Sequence, residues 1–397
     1  MKFVAQRPVT IHSVRNDTRW FPFVFRHTDG SLLLYIECGY DAHFSPFFRL
    51  RSTDNGKTWI QDPVVNVPRV STAHSFKNGE LFEIDTYGVL SSKEKDTYLF
   101  YGAWSHPGKP NDVVKKDFIK VYAPSFRPVC LETYQKHPSY PTYPWWDLFN
   151  LATGKKEAQS SDVYLGGAYF TSIVEPQDNI LLALGYWYLK KDPENWKYAV
   201  GCFESNDRGK TWFEKSIVAY DPNLPEGYDE ATLVQLKDGR LYTVMRTGGY
   251  LYHAWSQDSG KTWQKPEQLK LIDSDIMPGK VWPVCRKLED GTLVLVYGRP
   301  GKHIIFDPSG TGTEWQGHFD LHNWELETQK LMGVPENLRL RGDTGNKCIR
   351  YWDSGDYLAL AIIGTREMLV FYDVQNFVEN WNSYPVSGVR MVKLSLD

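Results

Sequence analysis

Arg246 and Arg299 each close an apolar run, LYTVMR and LVLVYGR, at a point where a neutral residue would continue the pattern. A guanidinium there is expected to turn into a cavity, and two converging on one cavity suit a carboxylate, which the planar fork grips through parallel hydrogen bonds. Ion pairs between neighbouring elements are the structural alternative. Glu230, in DEATLVQ, and Asp41, in GYDAH, supply the two carboxyl groups that glycosidic hydrolysis uses. His74 in TAHSF, His106 in AWSHPG and Tyr169 in GGAYF offer a different chemistry, a base and an acid for proton abstraction beside a neutralised carboxylate. Trp20, Trp187 and Trp282 present ring faces on which a sugar could stack, and Asn346 and Arg366 add polar groups for binding.

These residues can meet only if the fold repeats. The pattern S-x-D-x-G-K-T-W occurs three times, as STDNGKTW from Ser52, SNDRGKTW from Ser205 and SQDSGKTW from Ser256. A degenerate fourth copy, DPSGTGTEW from Asp307, ends at Trp315, 52 residues after Trp263, which is 51 after Trp212. Upstream of the copies, two strands flank an Asp-Gly or Asn-Gly turn in FRHTDGSLLLYIE, SFKNGELFEID, VQLKDGRLYTVMR and CRKLEDGTLVLVYGR. Such dipeptides between alternating apolar runs are strong hairpin signals, because the tight turn needs positive φ. Each unit therefore reads as a meander of about four strands.

Units of this length, each ending in such a hairpin, resemble the Asp-box (BNR) repeats of the sialidase-like β-propeller superfamily. The resemblance covers nearly the whole chain, with units at about 20–67, 72–133, 165–219, 229–272, 279–333 and 340–396. It implies an all-β, six-bladed propeller of four-stranded antiparallel blades; seven blades would follow if residues 59–212 held three repeats. Residues 134–164, rich in Pro, Ser and aromatics, read as an irregular insertion in a single domain spanning 1–397. In that superfamily the boxes are structural, so Asp54, Asp207 and Asp258 are expected to brace turns.

Antiparallel strands bring the starts of inner strands and the ends of second strands to one rim, where propeller sites lie. This places Trp20, His74, Tyr169, Glu230, Trp282 and Asn346, together with Tyr40, Asp41, His43, His106, Trp187, Arg246, Arg299 and Arg366, around the mouth. The resemblance further implies that Glu230 is a catalytic-site carboxylate and that Arg246 and Arg299 are the second and third arginines of a carboxylate-binding triad. Two positions depart from a standard sialidase. RWFPFV puts Trp20 where the first arginine belongs, with Arg19 one residue away, and GNKCI puts Asn346 where a nucleophilic tyrosine belongs.

The expected activity is an exo-acting glycoside hydrolase that releases a terminal acidic sugar. Elimination at a uronate, similar to that of propeller lyases using His and Tyr, and glycan binding without catalysis are the alternatives. Net charge is −3, with 45 Lys+Arg against 48 Asp+Glu and no long basic run, so no nucleic-acid partner is expected. The longest apolar run, residues 179–189, is too short to span a bilayer, and no export signal is legible at the start. Five well-separated cysteines without a CxxC pair predict free thiols, a cytoplasmic setting and no metal or other cofactor.

Overall fold

The computed structural model describes residues 1–14, 19–38, 47–62, 70–107, 109–131, 145–333, 356–376 and 386–397. It is built from short antiparallel meanders. After β1 (Phe3–Ala5) and β2 (Val9–Val14), the first sheet is β3 (Arg19–Arg26), β4 (Leu32–Cys38), β5 (Phe47–Ser52) and β6 (Ile60–Gln61). The chain continues through β7 (Val70–Ser75), β8 (Leu81–Asp85), β9 (Gly88–Leu90), β10 (Thr97–His106), β11 (Lys109–Tyr122) and β12 (Val129–Cys130). Helix α1 (Trp145–Thr153) and β13 (Tyr164–Gly166) precede the meander β14 (Tyr169–Gln177), β15 (Ile180–Tyr188), β16 (Tyr198–Ser205) and β17 (Thr211–Ala219). The eleven strands β7 to β17 form one sheet. Two four-stranded sheets follow, β18 (Asp229–Gln235) to β21 (Glu267–Gln268) through β19 (Leu241–Arg246) and β20 (Tyr252–Ser256), and β22 (Val281–Lys287) to β25 (Gln316–Asp320) through β23 (Leu293–Gly298) and β24 (Lys302–Asp307). After helix α2 (Leu321–Leu331), the last sheet is β26 (Leu358–Ile362), β27 (Glu367–Asn376) and β28 (Val386–Leu396), completed by β1 and β2 on β28. Pairing the first strands with the last leaves fewer open edges.

The arrangement is an all-β propeller of antiparallel sheets, but the blade count differs from expectation. Among the described residues there are four sheets of four or five strands and one of eleven, neither six nor seven separate blades. The reason lies at an outer edge. The β10–β11 hairpin is long, and Lys120–Tyr122 of β11 pair in parallel with Thr211–Phe213 of β17, fusing two meanders. Within the expected insertion, residues 145–153 form α1, which buries Leu148, Phe149 and Ala152, and Tyr164 of β13 pairs with Cys130 of β12.

Each box forms the loop from a third to a fourth strand of its meander. Asp54 Oδ1 accepts from Ser52 Oγ and Thr58 N, and Trp59 Nε1 donates to the Gly56 carbonyl. Asp207 and Asp258 repeat the serine and threonine contacts, which hold Asp54 and Asp258 near a pKa of about 2. Trp212 is fully buried, with ring centroids 5.2 Å from Phe170 and 6.5 Å from Phe82. Trp212→Ala should therefore cost about 3–5 kcal/mol in denaturant unfolding; a loss below about 1 kcal/mol would contradict this packing.

Trp315 of the degenerate copy takes part in a buried polar chain. Its Nε1 donates to the Tyr242 hydroxyl, which has one proton and donates it to His253 Nδ1, and the His253 ring also lies against the Gly312 backbone. Burial lowers the His253 pKa to about 4. The unfolded chain, titrating near pH 6.5, therefore binds the proton first as pH falls, so stability is lost between pH 6.5 and 4. Going from pH 7 to 5 should cost about 2 kcal/mol through this group, and His253→Gln should abolish that component. Equal pH dependence of the two proteins in urea titrations would refute the assignment.

Six inner strands, β3, β7, β14, β18, β22 and β26, line an axial cavity of about 440 Å³. At one end lie the starts of the inner strands, called the mouth below. At the other lie the turns to the second strands.

Candidate active site

A recurring irregularity builds the mouth. Register slips by one residue between Trp20 and Phe23 in β3, between Asp229 and Thr232 in β18, and between Val281 and Val284 in β22. Phe21, Glu230 and Trp282 follow the slips and take φ of 45°, 39° and 42°. Bulges of this kind re-aim side chains, and left-handed backbone at a non-glycine residue is held only where its surroundings impose it. Arg299 and Asp356, also at the mouth, have φ of 58° and 55°.

Glu230 is the hub. Its Oε1 accepts from the Tyr357 hydroxyl at 2.8 Å and from Arg246 Nη1 at 2.7 Å, and its Oε2 accepts from the Trp282 backbone N–H at 2.9 Å. These donors come from three different sheets. Arg246 also has Nη2 at 2.7 Å from Glu226 Oε2 and Nε at 3.7 Å from Asp229 Oδ1. Burial opposes its charge, but Glu230, Asp229 and Glu226 outweigh that and raise its pKa. Asp229 moves the other way: burial, reinforced by Glu230 and Glu226 against Arg246, lifts its pKa well above the carboxylate range.

Rings close the remaining sides. Tyr357 lies 4.1 Å from Phe21 and 5.7 Å from Trp282 between centroids, and the Arg299 guanidinium sits 5.8 Å from the Tyr357 ring. Gly298 makes this approach possible, since a Cβ there would meet the Asp356 carbonyl oxygen at 1.8 Å. Across the mouth, Tyr169 packs 6.3 Å from Trp282, 5.1 Å from Tyr186 and 6.0 Å from Tyr87. The aromatic series continues through Tyr198 and Tyr188 to Trp196, with centroid steps of 5.1, 4.5 and 5.1 Å. Trp196 is 54% exposed, and the Arg127 guanidinium covers one face at 4.2 Å.

A profile described as the BNR repeat-like domain matches residues 155–382, more than half of the chain. The chain belongs to the BNR repeat-like family. The fold of this BNR chain is similar to that of several solved structures. A protein of unknown function from Dyadobacter fermentans superposes with a TM-score of 0.64 at 18% identity, covering 100% of this chain and 99% of the other. The α-L-arabinanase of Penicillium chrysogenum gives 0.54 at 15% identity over 98% of both chains. The NanB sialidase of Streptococcus pneumoniae gives 0.51 at 15% identity over 95% of this chain and 68% of the other. At these identities the likeness is one of fold. A search of curated proteins by sequence returned no match.

The BNR propeller brings five of the expected residues, Glu230, Arg246, Arg299, Trp282 and Tyr169, to one mouth. Arg246 stands where expected, but its fork meets Glu226 and Glu230 instead of an empty cavity. Other positions require correction. His74 lies one residue from the turn end of β7, paired opposite Phe82 and bonded to Glu175 at 3.1 Å, because that strand begins at Val70. His106 is exposed at the turn end of β10, since β8 is the second strand of that meander and β10, antiparallel to it, is a third strand running away from the mouth. Arg366 precedes β27 and pairs with Asp290 of an Asp-Gly turn at 2.9 Å, again at the turn end. Trp187 reaches the mouth end of β15 but is buried in the core; strand alternation hands the mouth to Tyr186. Trp20 lies in β3, where the position equivalent to Glu230 is Phe21. Tyr40, Asp41, His43 and Asn346 lie outside the described residues.

Tyr357 is the residue missed. Its signal was SGDY directly before the alternating apolar run LALAI, which marks the start of the last inner strand 11 residues beyond Asn346.

Proposed function

We propose that this BNR propeller is an exo-acting glycoside hydrolase that releases a terminal acidic sugar with retention of configuration. The observation that carries the reading is the Tyr357 hydroxyl bonded to Glu230 at 2.8 Å across the mouth. Tyr357 is the nucleophile and Glu230 the base that takes its proton, the pairing of phenol and carboxylate used by sialidases. The phenolic oxygen bonds to the anomeric carbon as the glycosidic bond breaks, and the leaving oxygen takes a proton from Asp41, assigned by its place after β4. Water then displaces the Tyr357 oxygen from the anomeric carbon: one proton of the water passes to the Asp41 carboxylate formed in the first step, and the departing phenolic oxygen takes back its proton from Glu230.

A phenol suits an anionic sugar, because a carboxylate nucleophile would repel it. Arg299, beside the Tyr357 ring, is the group that receives the sugar's carboxylate. Arg246, engaged by Glu226 and Glu230, orients Glu230 instead. The aromatic series ending at the propped face of Trp196 supports an oligosaccharide substrate, since sugar rings stack on such faces. The elimination alternative loses support from the placement of His74 and His106 at the turn end.

The test is a panel of oligosaccharides capped by sialic acid, uronic acid or neutral pentose, incubated in oxygen-18 water. One heavy oxygen in the released acidic sugar is expected. No release from any cap, or an unsaturated product that absorbs ultraviolet light, would overturn the reading.

A further inference from the structure

The axial cavity is lined by Arg26, Arg286, Lys287 and His74 and, among the described residues, by no carboxylate. All four sit at or next to the last register pair before the turns: Arg26 opposite Leu32, His74 opposite Phe82, Arg286 opposite Val294 and Lys287 opposite Leu293. The three full cations satisfy themselves only partly. Arg26 Nη1 donates to the Ile362 carbonyl at 2.6 Å, Arg286 Nη1 to the Cys285 carbonyl at 2.9 Å, and Lys287 Nζ to the Gln235 carbonyl at 2.6 Å. Among the described residues none of the three forms an ion pair. Two acids are nearby: Glu175, whose oxygens are taken by His74 and the Asn179 N–H, and Asp238, which lies within electrostatic reach of Lys287 and bonds to Arg240.

Arg26 is exposed and Arg286 and Lys287 are half-buried, and charge drawn towards the interior is normally matched by an opposite charge. The guanidinium of Arg286 feels the mismatch, since burial lowers its pKa with no carboxylate to oppose the shift. The mouth end is the reverse, with Glu226, Asp229 and Glu230 gathered around Arg246.

We infer that the turn end of the axial cavity is a binding site for a small tetrahedral oxyanion, held by Arg286 with Lys287 and Arg26. Planar guanidinium forks match phosphate and sulfate oxygens. The cations stand on β3 and β22, which belong to different sheets, and His74 adds β7 of a third. A bound anion would tie these strands together on the axis, remote from the chemistry at the mouth.

The experiment uses the full chain with inorganic phosphate as the probe, at ionic strength held constant with sodium chloride. Isothermal titration should give saturable binding to one site, and a hundredfold excess over the dissociation constant should raise the melting temperature by about 3 °C. Arg286→Met and the milder Arg286→Lys should each weaken phosphate at least tenfold while leaving hydrolysis at the mouth unchanged. Glucose 1-phosphate separates the sources of the group: binding of phosphate but not of the sugar ester is expected of a site between the inner strands sized for the free ion. No saturable binding by the unaltered protein, or equal binding by both Arg286 variants, would overturn the proposal. Neither result bears on Tyr357 and Glu230.

Discussion

Tyr357→Phe should lower turnover by about a thousandfold or more, with the fold and the Michaelis constant little changed. The substitution removes one oxygen. The ring keeps its neighbours, Phe21 at 4.1 Å and Trp282 at 5.7 Å, so packing is preserved. Glu230 retains its bonds from Arg246 and from the Trp282 N–H. A thousandfold loss corresponds to about 4 kcal/mol of barrier, in the range expected when a nucleophile is deleted. Circular dichroism and urea unfolding should show that the loss is chemical. Activity within about tenfold of the unaltered enzyme would make Tyr357 a binding or packing residue.

The second large effect should come from Arg246→Ala, and it should appear in stability as well as rate. Arg246 is the cation within ion-pair distance of Glu226, Asp229 and Glu230. Removing it leaves buried carboxyl groups without their counter-charge, which typically costs about 3–5 kcal/mol. Turnover should fall by at least about a hundredfold because Glu230 loses the donor that orients it. The pH dependence carries the sign. Carboxyl groups whose folded pKa rises above the unfolded value stabilise the fold below the unfolded pKa and lose that contribution as pH rises. The Arg246→Ala defect should therefore shrink from pH 7 towards pH 4.5. Arg246→Lys, keeping charge without the fork, should recover stability better than rate. A defect of the same size at both pH values would place its origin in lost packing.

The sequence made the repeated hairpins readable because the boxes depend on local chemistry. Asp54, Asp207 and Asp258 bond within their own turns, so the pattern survives whatever surrounds it. The same locality made the ends of β19 and β23 legible, and with them Arg246 and Arg299. Phase was harder to read. His106 and Arg366 were misplaced because taking β10 for a second strand, where β8 already fills that place, or shifting one strand start reverses which end of a strand faces the mouth. Trp187 was out by one residue because alternation decides between core and cavity, and both Trp187 and Tyr186 are aromatic. The bulges at Phe21, Glu230 and Trp282 are set by packing around the axis and leave no fixed residue type behind. Tyr357 depended on finding the last inner strand, and no box marks its position. The eleven-stranded sheet arises from an edge meeting between β11 and β17, distant in sequence, which no local pattern encodes.

The central claim is that Tyr357 forms the bond to the sugar. It is tested most directly by trapping that bond with a fluorinated glycoside of whichever sugar the panel shows to be released, chosen to slow the second step. Mass spectrometry of the digested protein should find one glycosyl unit on the peptide that contains Tyr357, absent in Tyr357→Phe. A sugar attached to a carboxylate-bearing peptide instead, or turnover with no covalent species and inverted product, would contradict the account.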